Sequence, residues 1–411
     1  RSATRFLIRQ LDRVAPRAVS VTVGLVLIVV LIAGFAQGVL WRALVSGMEG
    51  AFSTVDESTA EGAEQPTSNL RSGGPESLVE WDELGRQGRN FTGRGPDVEQ
   101  LEQVGGAGCC VEPIRVYVGL ESAGTPEARA ELAVEELDRT GAFDREVLVV
   151  YTATGTGYIN PYASSSIEYL HGGDTALVSM QYSYLPSWLT VLLDDEPPGE
   201  ATRALWSAIR ERLDEIPADE RPRVYAFGES LGSFGVENGF ETVEALQSDT
   251  DGVLLIGATF DNPLRQQLTR NRVQGSPEWQ PIPDVADVHF AQRPVDLPAP
   301  PEPSDPSRVV YLLNASDPVT WWNWGLLVDR PDWAGQPFAT DRSPSFRWVP
   351  IVTFWQVVGD LPGAGNVPGG HGHIFGTNIV DGWLAVAPPA DLPDEATLQE
   401  IRDRLDEDYE D

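Results

Sequence analysis

The sequence predicts an α/β protein with a doubly wound, mostly parallel sheet, preceded by a transmembrane helix. Three observations carry this prediction. From about residue 106 onward, short apolar runs alternate with amphipathic segments, which is typical of parallel strands joined by helical crossovers. A Gly-x-Ser-x-Gly pentapeptide, Gly228 to Gly232, stands between an apolar run and a helical segment. A nearly uninterrupted apolar stretch, Val21 to Leu40, precedes the rest.

Composition and charge exclude several classes of function. Of the 411 residues, 41% are hydrophobic, enough for one large domain with an appendage. The formal net charge is −33, and all 29 basic residues are arginine. We therefore expect no binding to nucleic acid and no adsorption to anionic lipid surfaces. The acidity fits adaptation to high salt, the halophilic interpretation that we favour, or a genomic bias toward arginine.

The chain has two cysteines, Cys109 and Cys110, and they are adjacent. Neighbouring cysteines are poorly placed for an ordinary disulfide, so we expect two small unpaired residues rather than a vicinal or intermolecular bridge. Two cysteines alone supply no cysteine-based metal site. We predict no metal and no cofactor.

The N-terminal region predicts a membrane anchor. Residues 1–17 carry five arginines, and the apolar segment 18–42, centred on Val21 to Leu40, can cross a bilayer core of about 30 Å. The positive-inside rule then places residues 1–17 in the cytoplasm and the rest of the chain outside it. We expect a cell-membrane protein whose main domain is extracytoplasmic.

Composition also predicts the domain boundaries. Residues 43–105 are predicted as an extracytoplasmic linker or extended arm, because Glu57 to Pro96 is polar and rich in Gly, Ser, Thr, Glu and Pro. The main domain is predicted over 106–395, with cap insertions at about 262–306 and 320–360, and an acidic tail over 396–411. The tryptophans of the second insertion form an ordinary aromatic core patch, or they line an acyl-binding groove or rest at a membrane interface.

The elements of the main domain are read from its apolar runs and helical periodicity. Strands are predicted at Ile114–Leu120, Arg145–Tyr151, Thr175–Tyr182, Val224–Phe227, Gly252–Phe260 and Arg308–Asn314. Helices are predicted at Pro126–Arg139, Ser164–Leu170, Glu200–Ile216 and Ser233–Leu246, and from about Ile379.

Ser230 is the candidate nucleophile. A serine at the tip of a sharp strand-to-helix turn presents its hydroxyl above the sheet, and the flanking glycines let the helix pass close to the strand. The helix that starts there points amide groups at a developing oxyanion, so the Leu231 N–H is one expected donor. The second donor of the oxyanion hole is expected from the loop Thr154-Gly155-Thr156.

A serine nucleophile needs a base and an orienting acid, which follow it in this chain order. His373, in a glycine-rich loop, is the candidate base, with His371 of the same loop as the alternative. His289 lies in an apparent proline-rich loop and is assigned a structural role. Asp317, just past an apolar strand, is the candidate acid. The alternatives for the acid are Asp261 and, behind it, Asp360. Substrate contacts are assigned to Glu229, Tyr158, Trp321 and Trp322.

Several phrases of the chain, from Pro113 to His373, are similar to those of a family of actinobacterial membrane proteins known as an alpha/beta-hydrolase family. The resemblance implies a serine-hydrolase fold, the alpha/beta-hydrolase fold, and makes Val21 to Leu40 the last of several membrane helices. It implies no particular substrate. The matching phrases are Pro113–Leu120, Arg139–Arg145, Thr154–Gly157, Gln181–Ser187, Gly228–Gly232, Ser316–Val319 and Gly372-His373.

Three functions are consistent with these residues. The first is a membrane-anchored serine hydrolase of the esterase or lipase type that cleaves lipid-like acyl esters or thioesters. The second is an acyltransferase on the same fold, in which an alcohol takes the place of water. The third is a non-catalytic membrane assembly protein that retains the fold. The expected partners are the membrane and an acyl-ester substrate, and homo-oligomer formation is left open.

Overall fold

A computed structural model describes residues 52–186, 198–302, 305, 307–335, 339, 341–343 and 345–409. The predicted basic flank and transmembrane helix lie outside these residues. Within them, no helix is both long and apolar enough to cross a membrane. The unit from Asp56 to Asp411 contains all the elements discussed below.

Seven strands form one sheet in the described part of the chain, and every neighbouring pair runs parallel. Their order is β1-β3-β2-β4-β5-β7-β6, and nearly all their residues are buried. This confirms the predicted parallel sheet with flanking helices. The strands are β1 (Ile114–Val118), β2 (Val147–Thr152), β3 (Thr175–Met180), β4 (Arg223–Glu229), β5 (Gly252–Ile256), β6 (Val288–Ala291) and β7 (Arg308–Leu312).

Helices cover both faces of the sheet. The α-helices of the described residues are α1 (Gly85–Thr92), α2 (Val98–Gly105), α3 (Pro126–Thr140), α4 (Pro161–Leu170), α5 (Pro198–Asp214), α6 (Leu231–Phe240), α7 (Val243–Asp249), α8 (Pro263–Arg270), α9 (Pro318–Trp321), α10 (Val352–Asp360), α11 (Asn378–Val386) and α12 (Glu395–Tyr409). Helices α3, α5 and α6 pack together, and α4, α11 and α12 form the other group. Trp383 of α11, fully buried, stacks on Phe227 of β4 with ring centroids 5.6 Å apart.

The segment predicted as a linker folds against the sheet from Asp56 onward. Leu84, Phe91 and Leu101 are buried, so a few apolar anchors outweigh the polar composition around them. The backbone N–H of Ser72 donates to the Arg115 carbonyl at 3.0 Å, and the Arg115 N–H donates to Leu70 at 3.1 Å. These bonds occupy the backbone groups that an edge strand would otherwise leave unpaired.

The predicted acidic tail is also folded, since residues 395–409 form α12. Leu398, Ile401 and Leu405 recur at helical spacing and are buried. The Tyr409 hydroxyl, at the end of this helix, lies 2.9 Å from the Ser165 hydroxyl of α4. Charged residues dominate the composition here, but three apolar side chains on one face are enough to dock the helix.

Two other details differ from the expectations, and a third concerns the Trp-rich segment. His289, which was expected in a loop, lies in β6 and pairs with Val310 of β7. The first proposed cap insertion therefore contributes an edge strand to the sheet. Cys109 and Cys110 form a vicinal disulfide, a pairing that depends on a backbone conformation that the sequence does not specify. The Trp-rich segment has an apolar cluster of its own, formed by Trp321, Leu326, Trp333, Ala334, Phe354 and Val357.

Candidate active site

The carboxyl ends of parallel strands bring the candidate residues to one edge of the sheet. Ser230 follows β4, Thr154 follows β2, and Asp317 follows β7. Ligand sites of open α/β sheets lie outside this edge. Ser230 and His373 both line a cleft of about 1010 Å³ there, together with Glu229, Tyr158 and Thr154.

Ser230 has the backbone conformation of a strained turn. Its φ of 53° and ψ of −120° are unusual for a residue with a side chain. A Cβ on Gly232 would lie 2.2 Å from the Thr152 carbonyl oxygen, and one on Gly228 would lie 2.7 Å from the Gly232 backbone. The pentapeptide therefore needs glycine at both positions for strand and helix to approach this closely.

Hydrogen bonds hold the turn in place. The Ser230 N–H donates to the Ile256 carbonyl of β5 at 3.0 Å. The Ser233 hydroxyl donates to the Ser230 carbonyl at 2.6 Å, and Asn262 Nδ2 donates to that hydroxyl at 3.1 Å. A conformation that costs of order 1–3 kcal/mol persists because its surroundings fix it.

The structure pairs His373 with Asp317. His373 Nδ1 donates to Asp317 Oδ2 at 2.6 Å, since a carboxylate only accepts, and this leaves Nε2 as the basic nitrogen. Asp317 is fully buried, and it also accepts bonds from the Val319 N–H at 2.8 Å and the Thr320 hydroxyl at 3.2 Å. The carboxylate is therefore fixed independently of the histidine that it orients.

Burial of the His373 imidazole favours its neutral form, but its neighbours outweigh this effect. The Asp317 charge and hydrogen bond, together with the charge of Glu229, raise the pKa of His373 above its ordinary value. An imidazole with a raised pKa is a stronger base. The pair is therefore suited to take a proton from a hydroxyl group.

Two residues that the sequence analysis missed position His373. Asn314 donates from Nδ2 to the carbonyls of Gly372 at 3.0 Å and Ile374 at 3.1 Å, which clamps the loop on both sides of the histidine. Gly257, with φ of 55°, lies beneath the imidazole, and a Cβ there would be 2.6 Å from His373 Cε1. The sequence offered only a weak signal for Asn314 and Gly257. Each directly follows an apolar strand, but so do many residues that do not position a histidine.

The alternatives lie elsewhere. The side chain of His371 is 55% exposed, pairs with Asp341, and is absent from the described cleft lining. Asp261 is exposed and Asp360 is also at the surface. Trp321 is buried in the Trp-rich cluster, where Nε1 donates to the Asn314 carbonyl at 3.1 Å. Trp322 packs on the same cluster, and neither tryptophan is among the described residues that line the cleft.

The expected donors to the oxyanion differ in the hydrogen bonds that their N–H groups already make. Leu231 is the first residue of α6, so its N–H has no carbonyl partner one turn earlier within the helix. Thr154 lines the cleft, and its backbone N–H donates to the Tyr158 carbonyl at 3.1 Å. Gly155 and Thr156 lie in the same turn, which the Gly157 N–H closes by donating to Thr154 at 2.8 Å. Among the described residues, no group of three His, Cys, Asp or Glu side chains could hold a metal ion.

Comparison with solved structures gives weak similarities. The catalytic core domain of acetyl xylan esterase from Trichoderma reesei is 14% identical, and the match covers 42% of this chain and 84% of that one with a TM-score of 0.22. An iodinated complex of acetyl xylan esterase is 11% identical, with 43% and 85% covered and a TM-score of 0.23. Scores this low carry no argument about function. No curated protein matches the chain.

Comparison with protein families is more informative. Residues 1–96 match a family described as the alpha/beta-hydrolase family N-terminus. Residues 114–400 match the alpha/beta-hydrolase family itself, and this match contains the whole sheet and every candidate residue discussed above. Because it spans well over half of the 411 residues, the chain belongs to the alpha/beta-hydrolase family.

Proposed function

We propose that this hydrolase-family protein is a serine hydrolase that cleaves acyl esters or thioesters through an acyl-enzyme. One observation carries the proposal: Ser230, on its strained turn, lines the same cleft as His373. His373 Nδ1 donates to Asp317, which leaves Nε2 free to act as the base. A nucleophile, a base and an orienting acid at one edge of a sheet are what acyl transfer through serine requires.

In the proposed mechanism, His373 Nε2 takes the proton of the Ser230 hydroxyl as its oxygen attacks the acyl carbon. The Leu231 N–H donates to the developing oxyanion, with a second donor from the turn 154–156. His373 then gives the proton to the leaving alcohol or thiol, which departs. Water, deprotonated by the same imidazole, attacks the acyl-enzyme and releases the acid. Asp317 orients and stabilises the imidazolium in both halves of the reaction.

A fluorophosphonate probe tests the nucleophile directly, because it reacts with activated serines. We expect wild-type protein to be labelled and Ser230→Ala to be unlabelled, with hydrolysis of p-nitrophenyl esters reduced by about 10⁴-fold or more. Ser248→Ala, at an exposed serine of α7, is the matched control and should behave as wild type. An unlabelled wild type would favour a non-catalytic role. Product analysis with an added alcohol separates hydrolysis from acyl transfer.

We also propose that residues 18–42 anchor the protein in the cell membrane, with the hydrolase domain outside the cytoplasm. We propose further that the acyl substrate of this domain is lipid-like. The support is the apolar run after five arginines. Protease added to intact spheroplasts should digest the domain. Protection until the membrane is permeabilised would contradict the orientation. A series of p-nitrophenyl esters of increasing chain length tests the acyl preference.

A further inference from the structure

Glu229 has no part in the mechanism above, although it stands next to Ser230. It is the last residue of β4, its side chain lines the cleft, and it is only 8% exposed. Carboxyl groups are rarely buried to this extent unless they are paired. Its bonding therefore needs an account.

One carboxyl oxygen of Glu229 is fixed by Asn160, which caps α4. Asn160 Oδ1 accepts from the N–H groups of Tyr162 at 2.9 Å and Ala163 at 3.4 Å. The amide is thereby oriented so that Nδ2 faces the other way, and it donates to Glu229 Oε1 at 3.0 Å. The amide cannot rotate without losing the helix cap.

The other oxygen, Oε2, has no hydrogen-bond partner among the described residues. A buried polar atom without a partner costs about 1–3 kcal/mol, and more when it is charged. Because Glu229 lines the cleft beside the nucleophile, the natural partner is a donor on a molecule bound there.

The cleft around Glu229 favours a neutral polar group. Asp406 and the tyrosines 158, 162 and 409 also line it, whereas no arginine does among the described residues. A phosphate or carboxylate would meet the like charge of Asp406, and no arginine among the described residues compensates for it. A hydroxyl group both donates and accepts, so it suits a carboxyl group in either protonation state.

We propose that Glu229 Oε2 bonds a hydroxyl group in the alcohol part of the substrate, so that the cleft prefers esters whose alcohol carries a further, neutral hydroxyl group. This rests on the proposed function of Ser230. Glu229 is a specificity residue in this scheme: it binds the substrate beyond the reacting bond, and it makes and breaks no bond itself.

The test compares two butanoate esters that differ only at the end of the alcohol, 2-hydroxyethyl butanoate and n-propyl butanoate. We expect wild type to prefer the hydroxylated ester by about 10-fold or more in kcat/KM. Glu229→Met removes both oxygens at similar volume and should reduce this preference to about one. Since both esters share the reacting groups, any effect of the substitution on His373 cancels in the ratio.

The variant Glu229→Gln tests whether the substrate group that bonds residue 229 is a hydroxyl group or a cation. Its oxygen accepts from Asn160, which leaves an N–H₂ group to bond a hydroxyl, so we expect the preference to stay within about 3-fold of wild type. Butanoylcholine, preferred by wild type and rejected by Glu229→Gln, would overturn the proposal in favour of a cationic alcohol. Asp403→Asn, at an exposed position of α12 outside the described cleft lining, is the matched control and should retain the wild-type ratio.

Binding of the same two esters to the inactive Ser230→Ala protein gives a readout that needs no turnover. Tighter binding of the hydroxylated ester, lost in the double variant with Glu229→Met, supports the inference even if wild type hydrolyses neither ester and the proposed function fails. Equal affinity, or an equal kcat/KM for both esters in an active wild type, overturns the inference and leaves the proposed function intact. If Glu229→Met does not fold, Glu229→Leu, which also removes both carboxyl oxygens, takes its place.

Discussion

Two histidines that lie two residues apart in one loop each pair with an aspartate, yet the surroundings of the two pairs differ. His373 binds the fully buried Asp317, and its own side chain is 18% exposed. His371 binds Asp341 with its side chain 55% exposed. Only the first pair includes a residue that the structure places in the cleft with Ser230.

The difference teaches that a histidine–carboxylate contact does not by itself mark a catalytic site. The first pair is supported by Asn314, by Gly257 beneath the ring and by two further donors to Asp317. An exposed pair contributes about 0–1 kcal/mol and is screened by salt, whereas a buried one is held in a single geometry. Rigid support and access to the nucleophile are the properties that separate the two.

The largest expected effect comes from replacing each histidine in turn. His373→Ala removes the proposed base and should lower kcat by about 10⁵-fold, while His371→Ala should stay within about 3-fold of wild type. Ester hydrolysis and the thermal midpoint of each variant measure this contrast. A large loss in His371→Ala with a harmless His373→Ala would exchange the two assignments.

The aspartates give the next contrast. Asp317→Asn keeps the shape but no longer favours the tautomer with a proton on His373 Nδ1, so kcat should fall by about 10⁴-fold. Asp341→Asn, at the exposed pair, is the matched control and should leave kcat nearly unchanged. Equal losses in the two variants would mean that both pairs act on the same reaction.

Gly257→Ala sharpens the comparison through packing alone. The new methyl group would lie 2.6 Å from His373 Cε1, and displacement of the ring should cost about 10²-fold in kcat. Gly275→Ala is the control, because Gly275 also has a positive φ, of 96°, but a Cβ there meets nothing within 4 Å. Both should lose about 1–2 kcal/mol of stability, and only the first should lose activity. Full activity in Gly257→Ala would show that the ring tolerates movement.

The smallest effect is a shift in pH dependence. The base acts in its neutral form, so kcat/KM should fall as the pH drops through the pKa of His373, which its carboxyl neighbours raise. Glu229→Gln removes one of these charges, so the acidic limb of the profile should move to lower pH. Asp341→Asn should leave the limb in place. A shift to higher pH in Glu229→Gln would contradict the assigned electrostatics.

Much of the fold could be read from the sequence because strands and crossover helices are encoded locally. The apolar runs that become β1, β2, β3, β4, β5 and β7 were all found, since each is buried on both sides. The strand β6 was missed, because four residues among many prolines give no periodic signal. The folded arm and α12 were missed because a few apolar anchors are diluted by polar neighbours.

By itself, the sequence determined the strained turn at Ser230, since only glycine fits at positions 228 and 232. It also narrowed the base to one loop and favoured Asp317 by its place after a strand. Only the tertiary structure decided which histidine lines the cleft, and only it showed how Asn314 and Gly257 support that histidine. The physical reason is that these contacts join segments far apart in the chain, and local propensity carries no information about which distant groups the sheet edge brings together.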